Sequence, residues 1–136
     1  MKLKIITQEK VVFDGEVDAV YSKGIDGEFG ILKDHIPIMV PLTIGVTRAI
    51  IGKEEKVFTT MGGILQFKND ECLILTTLSE SGEEIDEARA KDALERAKRR
   101  LNNTQARIDA KRAEAAIARA EARLKASLTG QKQAKF

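Results

Sequence analysis

The chain has 136 residues with 23 Lys and Arg against 21 Asp and Glu, so its formal net charge is only +2. A hydrophobic content of 43% is sufficient for a packed core, which argues against a wholly disordered chain. No apolar run of about 18 residues is present, as a transmembrane helix requires. A single Cys and a single His exclude an internal disulfide and a Cys/His zinc site. The simplest interpretation is a cytosolic protein without direct membrane insertion.

Charge and composition divide unevenly along the chain at about residue 85. Residues 1–84 hold 9 basic and 14 acidic side chains, a net charge of −5, whereas residues 85–136 hold 14 and 7, a net charge of +7. Nine of ten Gly lie in the first part, and fourteen of sixteen Ala lie in the second. Because Gly favours turns and Ala favours helices, two units are predicted, residues 1–84 and residues 85–136.

Short β-prone runs separated by turn-forming residues fill the first unit. Strands spaced roughly 8–12 residues apart are typical of a β-sandwich or flattened barrel. Turns are predicted at Asp14-Gly15 and at residues 52–56. The predicted strands cover residues 3–6, 11–13, 17–21, 45–51, 57–61, 64–67 and 72–78.

Residues 27–42 combine apolar side chains with two prolines, Pro37 and Pro41. Because each proline lacks a backbone donor, a continuous central strand is not expected there. The segment either faces a partner or covers the end of the sandwich core. His35 has two interpretations as well, a contact residue or a loop histidine satisfied by local hydrogen bonds.

The apolar pattern changes to a helical period from Asp86 onward. It is interrupted at Asn102-Asn103-Thr104, so two helices joined by a short loop are predicted to pack as an antiparallel hairpin that stops at Gly130. Alanine buries little apolar area, so the hairpin is expected to be weakly held, either as a movable element or as a plain spacer. The predicted inward positions are Ala90, Leu94, Ala97, Leu101, Ala110, Ala113, Ile117, Ala120 and Leu124.

Four arginines of the second unit are expected to meet in such a hairpin. Arg89 and Arg96 share one helix face, Arg119 and Arg123 share another, and the start of the first helix lies beside the end of the second. Clustered guanidinium groups suit bidentate phosphate contacts, and Asp86 is the expected N-cap in the same neighbourhood. The alternative is a helix cap beside a solvated basic face.

Catalytic motifs are not found in the sequence. It has no P-loop, and one His and one Cys give no credible Ser/His/Asp or Cys/His triad. Cys72 heads an apolar run and is expected to be a small core residue. An enzyme that acts alone is therefore not expected.

Three motifs in order resemble the epsilon subunit family of bacterial F-type ATP synthases. Residues 27–32, GEFGIL, are similar to the family's Gly-Glu-x-Gly-Ile-x signature and are followed by His35, Pro37 and Gly45. Residues 62–65, GGIL, are similar to its Gly-Gly strand entry, and residues 85–90, IDEARA, to its Ile/Leu-Asp-x-x-Arg-Ala motif. Lys33-Asp34 departs from the Pro-Gly that many members carry before the histidine.

The resemblance implies an α+β fold, an N-terminal ten-stranded β-sandwich followed by a C-terminal antiparallel two-helix hairpin. It implies a non-catalytic rotor subunit of the proton-transporting ATP synthase, peripheral at the cytoplasmic face of the bacterial cell membrane. The sandwich is expected to bind the gamma subunit and the c-ring, coupling ion flow to ATP synthesis. The hairpin is expected to inhibit ATP hydrolysis when it extends toward the alpha and beta subunits.

Two sets of site residues also follow from the resemblance. ATP is implied as a regulatory ligand of the folded hairpin and not as a substrate, and no cofactor is required. The implied ATP-binding residues are Glu80, Ile85, Asp86, Arg89, Ala90, Arg96, Arg119 and Arg123. The implied partner-contact residues are Glu28, Phe29, Ile31, His35, Pro37 and Met39.

A basic helical hairpin that binds nucleic acid is the main alternative. The positive charge favours it, but the second unit has no aromatic residue for stacking before Phe136. A membrane-surface helix pair is disfavoured because the apolar stripe is mostly alanine.

Overall fold

The computed structural model describes residues 1–103 and 107–134. Within those residues the chain forms seven β-strands, one 3-10 turn and two α-helices. The strands are β1 Lys2–Ile6, β2 Val11–Glu16, β3 Ala19–Gly24, β4 Gly27–Leu32, β5 Ile38–Ile51, β6 Glu54–Lys68 and β7 Glu71–Leu75. The 3-10 turn is Gly82–Glu84, and the helices are α1 Glu87–Asn103 and α2 Arg107–Ala134.

The strands form one sheet in the order β2-β1-β7-β6-β5-β3-β4. Neighbouring strands run antiparallel except β1 and β7, which are parallel. One buried core contains residues from strands near opposite edges of this order, namely Leu3 and Ile5 of β1 and Ile31 of β4. The sheet must therefore fold over itself and enclose that core between two layers, as in a β-sandwich.

The sandwich followed by two helices agrees with the prediction, but the described residues form seven strands and not ten. Predicted strands 57–61 and 64–67 are a single strand, β6, which continues through Gly62 and Gly63 with φ angles of +80° and +110°. A Cβ on Gly63 would overlap the carbonyl oxygen of Leu75 in β7. Glycine is thus required for both the backbone angle and the close approach of β7.

The expectation that prolines would prevent a continuous central strand at residues 27–42 agrees with Pro37, which lies between β4 and β5, but it is wrong for Pro41. Pro41 lies inside β5 and is paired with Ile64 of β6. Its carbonyl accepts a hydrogen bond from the amide of Ile25, just beyond the end of β3. The backbone nitrogen and oxygen of one strand residue point to the same side of the strand. The nitrogen of Pro41, which has no hydrogen to donate, therefore faces the end of β3, and no hydrogen bond to β6 is lost.

A predicted turn and a predicted helix end are also placed differently. Asp14 and Gly15 lie within β2, paired with Lys4 and Leu3, and the hairpin turn falls at residues 7–10. Gly130 does not stop α2, which continues to Ala134, because glycine weakens a helix interior by only about 1 kcal/mol relative to alanine. Asn102 and Asn103 complete α1, and Thr104 lies outside the described residues.

The hairpin packs as predicted, with α1 against α2. The inward alanines Ala90, Ala97, Ala113 and Ala120 are buried, and α2 lies against β5, β6 and the 3-10 turn. Burial of these small side chains brings the helices close but removes little apolar area from water.

The contact between α2 and the sandwich is formed by a second, smaller core. Its buried members are Val57, Ile85, Ala90 and Ala126. Ser127 is fully buried, and its hydroxyl donates a 3.2 Å hydrogen bond to the carbonyl of Ile85. This contact joins the C-terminal part of α2 to the segment that precedes α1.

Gly82 permits the close approach of α2 at this contact. A Cβ at Gly82 would overlap the carbonyl oxygen of Ala126. Its φ is not in the left-handed region, so an alanine there would clash with α2 without straining the backbone itself.

We expect Gly82→Ala to loosen the docking of the hairpin while the sandwich stays folded. Relieving an overlap with backbone costs about 1–3 kcal/mol. The rate of tryptic cleavage within α1 and α2 should rise. Gly15→Ala is the matched control, because a Cβ there meets only the Phe13 ring in β2, at 3.3 Å. Equal cleavage rates in the two variants would contradict this account of the docking contact.

Candidate functional site

A cavity of about 340 Å³ lies where the segment before α1 meets the two helices. Seven of the eight predicted ATP-binding residues line it, all except Arg119. Its complete lining is Glu80, Glu84, Ile85, Asp86, Arg89, Ala90, Ala93, Arg96 and Arg123. We call this the first cavity.

A second cavity of about 360 Å³ adjoins the first along the groove between α1 and α2. The two share Ala93, Arg96 and Arg123, and the remaining predicted residue, Arg119, lines the second. Its complete lining is Ala93, Arg96, Ala97, Arg100, Ala116, Arg119, Ala120 and Arg123. The structure thus places all eight predicted residues around two adjoining cavities.

Four lining positions were missed by the sequence analysis, Glu84, Ala93, Arg100 and Ala116, and it named Ala97 and Ala120 only as inward positions of the hairpin. The helical period would have identified Arg100, which follows Arg96 by one turn on the same face. Ala93 likewise lies one turn after Arg89. Glu84 ends the 3-10 turn, and its position has no such periodic signal.

Asp86 is the N-cap of α1, as predicted. Its Oδ1 accepts a 3.2 Å hydrogen bond from the Arg89 amide, and its carbonyl accepts a 3.0 Å bond from the Ala90 amide. The first bond satisfies an amide that the first helical turn leaves without an intrahelical partner, and the second is the first intrahelical hydrogen bond of α1. The cap therefore fixes where α1 begins, and with it the position of Arg89 at the first cavity.

Arg123 connects α2 to the segment before α1. Its Nε donates a 2.9 Å hydrogen bond to Oε1 of Glu80, and the two side chains are 30% and 37% exposed. A pair this exposed contributes about 1 kcal/mol at most. Its geometry matters more than its energy, because the pair exists only while the hairpin is docked.

The other arginines of the cavities have little compensating charge. Among the described residues, the ion pairs of α1 and α2 are Lys91–Glu87, Arg123–Glu80 and Lys125–Glu28. No carboxylate of the described chain therefore lies within 4.0 Å of the guanidinium of Arg89, Arg96 or Arg119. A groove with surplus positive charge attracts anions, and its planar guanidiniums suit phosphate.

Ile85 and Ala90 line the first cavity but are themselves largely buried. Both belong to the smaller core with Val57 and Ala126. The floor of the cavity is therefore also the surface on which α2 docks. Occupancy of the cavity and docking of the hairpin depend on the same packing.

The predicted partner-contact residues are divided between the surface and the core. Pro37 is exposed, and Met39 is 59% exposed. They adjoin Ile36, 73% exposed, and Leu32 at the end of β4. These four residues, Leu32, Ile36, Pro37 and Met39, form an exposed apolar surface at the β4–β5 connection.

Ile31 does not fit the contact role implied for it. Its side chain is 1% exposed and belongs to the main core, because alternate residues of β4 point inward. Phe29 is half-buried and packs against the same core. Glu28 is exposed, and its Oε1 lies 3.9 Å from Nζ of Lys125 on α2.

His35 has local partners within its own loop and the sandwich. Its Nδ1 lies 2.6 Å from the carbonyl oxygen of Ile36, and its ring meets Phe67 edge-on at 6.0 Å between centroids. The interpretation as a loop histidine with a local hydrogen bond agrees with this geometry. The half-buried ring supports the loop that presents the exposed apolar surface.

Comparison with protein families identifies the class to which this arrangement belongs. Residues 1–82 match the family described as ATP synthase, Delta/Epsilon chain, beta-sandwich domain. Residues 83–127 match ATP synthase, Delta/Epsilon chain, long alpha-helix domain. The chain belongs to the delta/epsilon chain family of ATP synthase.

Relatives within that family specify the resemblance further. The ATP synthase epsilon chain of Carboxydothermus hydrogenoformans is 44% identical over 102 residues, 74% of this chain and 75% of that protein. The epsilon chain of Alkalihalophilus pseudofirmus is 41% identical over 105 residues, 77% and 79% of the two chains. The predicted resemblance to the bacterial epsilon subunit is confirmed, and no match supports the nucleic-acid-binding alternative.

Solved structures show the same fold in rotary assemblies. A chain of the Euglena gracilis mitochondrial ATP synthase, from an OSCP/F1/c-ring structure, superimposes with a TM-score of 0.81 at 24% identity, covering 93% of this chain and 79% of that one. A chain of the Tetrahymena thermophila central stalk and c-ring structure gives 0.61 at 16% identity, covering 93% and 95%.

Within residues 1–103 and 107–134 no helix is long and apolar enough to cross a bilayer. The same part of the chain has no group of three or more His, Cys, Asp or Glu arranged to hold a metal ion.

Proposed function

We propose that this chain is a central-stalk subunit of a rotary ATP synthase and couples ion flow to ATP synthesis without performing chemistry. The observation that carries the proposal is the family match over both units, residues 1–127. Burial raises the pKa of Cys72 to about 12, so that side chain stays a neutral thiol rather than a nucleophile. The subunit is proposed to be peripheral, at the cytoplasmic face of the bacterial cell membrane.

The sandwich is proposed to hold the rotor partners. The exposed apolar surface of Leu32, Ile36, Pro37 and Met39 suits contact with the gamma subunit or the c-ring, because burying apolar side chains away from water lowers the free energy. Ile31 is left out of this contact, since it supports the surface from inside the core.

The docked hairpin is proposed to bind ATP as a regulatory ligand. Arg89, Arg96, Arg119 and Arg123 supply guanidiniums for the phosphates, while Asp86, Glu80, Ile85 and Ala90 line the mixed first cavity suited to the nucleoside. These residues come from α1, α2 and the segment before α1. Because they adjoin only in the docked arrangement, a ligand that needs all of them stabilises that arrangement.

The strength of this effect follows from ligand linkage. A ligand that binds only the docked form stabilises it by about 2.7 kcal/mol at a concentration of 100 Kd. The contacts that oppose release are modest, chiefly the Ser127–Ile85 hydrogen bond, the part-exposed Arg123–Glu80 pair and the small core at Val57. ATP at such a concentration therefore shifts the population strongly toward the docked form.

Release of the hairpin is proposed to inhibit ATP hydrolysis. A continuous helix over residues 86–128 would reach about 65 Å at 1.5 Å per residue. That length extends toward the alpha and beta subunits of the catalytic head. Its basic side chains, freed from the groove, would then meet an acidic surface there, so ATP in the groove and the catalytic head compete for the same arginines.

We expect Arg89→Ala to weaken ATP binding by about tenfold or more, because a charge-assisted hydrogen bond contributes about 1.5–3 kcal/mol. The measurement is calorimetry with ATP and Mg²⁺ on the full chain. Arg112→Ala is the matched control, since Arg112 is exposed on α2 and lines neither cavity. No binding to the original chain would contradict the proposed nucleotide site.

We expect deletion of residues 86–136 to leave assembly with the gamma subunit intact but to reduce inhibition of ATP hydrolysis. The reason is that every buried residue of the main core lies before residue 75 and none belongs to a helix. Assembly is measured by co-purification of the stalk, and inhibition by ATPase rate. If the folded truncated chain no longer joined gamma, the proposed division between sandwich and hairpin would be wrong.

A further inference from the structure

The chain carries four sulfur atoms, those of Met1, Met39, Met61 and Cys72, and all four lie in the described part of the chain. Three of them are shielded from water, because Met1 and Met61 are each 8% exposed and Cys72 is 1% exposed. Burial also raises the pKa of the Cys72 thiol to about 12, so its reactive thiolate is scarce. Met39 is 59% exposed and is therefore the sulfur that an oxidant in solution reaches directly.

The sheet fixes the outward position of Met39. This residue lies in β5 between the half-buried Ile38 and Val40, and it is paired with Gln66 of β6. Because successive side chains of a strand point to opposite faces, Ile38 packs against the main core while Met39 faces outward. The exposure of its thioether is thus a property of the paired strand and not of a loop.

Met39 also belongs to the exposed apolar surface that is proposed to contact the rotor. Its partners in that surface are Leu32, Ile36 and Pro37, whose side chains have no hydrogen-bonding group. A sulfoxide oxygen on Met39 would introduce a strong polar group into a surface that binds by apolar burial. Burying that oxygen without a hydrogen-bond donor is unfavourable, so the oxidised surface would bind a partner more weakly.

We propose that Met39 is a reversible oxidation site, at which hydrogen peroxide forms methionine sulfoxide and weakens the contact of the unassembled subunit with its rotor partners. One oxygen atom of the peroxide is transferred to the thioether sulfur, which is oxidised by two electrons, and the rest of the peroxide leaves as water. Methionine sulfoxide reductases reverse the step with two electrons from a dithiol and release the oxygen as water. The effect on assembly rests on the proposed function, whereas the selectivity of oxidation does not.

The first measurement is peptide mass spectrometry of the full folded chain during exposure to dilute hydrogen peroxide. Met39 is expected to be oxidised at least about tenfold faster than Met1 or Met61, because a buried sulfur reacts only when the structure opens locally. Assembly with the gamma subunit and the c-ring before exposure should slow the oxidation of Met39 but not that of the other two. Equal rates for the three methionines in the free chain would overturn the inference.

The second measurement is the affinity of the peroxide-treated chain for the gamma subunit and the c-ring. Oxidation is expected to weaken binding by about tenfold, and treatment with methionine sulfoxide reductases should restore it. Met39→Leu is the matched control, because leucine is apolar, similar in volume and without an oxidisable sulfur. This variant should bind like the untreated original chain both before and after exposure to peroxide.

The remaining outcomes separate this inference from the proposed function. Unchanged affinity after complete oxidation of Met39 would overturn the inference, and so would an equal loss in the peroxide-treated Met39→Leu chain, which would place the damage at another residue. Slow oxidation of Met39 in a chain that binds its rotor partners would overturn the inference and leave the proposed function intact. If the untreated chain does not bind the rotor subunits, the proposed function is wrong, and the effect assigned to oxidation is wrong with it.

Discussion

The close approach of α2 to the segment before α1 determines the geometry of the whole helical unit. Gly82 has no Cβ to strike the Ala126 carbonyl, and the Ser127 hydroxyl bonds to the carbonyl of Ile85. With α2 fixed there, Arg123 reaches Glu80, and the arginines of the two helices line a common groove. Without this contact the chain would still have a sandwich and two helices, but the arginines would not line a common groove.

The strength of the same contact determines how easily the proposed ATP ligand would shift the position of the hairpin. The interface between the helices is alanine-rich, and the two ion pairs that tie α2 to the sandwich side are part-exposed or exposed. Such pairs contribute little in water, and alanine burial contributes less per residue than leucine or isoleucine would. Docking is therefore weak enough for ligand binding of a few kcal/mol to decide the population.

The sequence predicted best the features that depend on local repetition. The period of the alanines predicted the two helices and their inward face, and Asp86 predicted the start of α1. The spacing of the arginines predicted that their side chains line one groove. Features that depend on a neighbouring strand could not be predicted from the sequence. Pro41 is tolerated in β5 only because β3 ends beside it, and Gly63 is required only because β7 lies so close. The burial of Ile31 depends on which face of β4 is covered.

The central claim is that ATP stabilises the docked hairpin, and hydrogen exchange tests it most directly. Amide exchange is measured on the full chain with and without saturating ATP, under conditions in which ATP is not hydrolysed. The account predicts slower exchange across α1 and α2, with the sandwich amides unchanged, because the ligand bridges the helices and the segment before them. Identical exchange in the helices with and without ATP would contradict it.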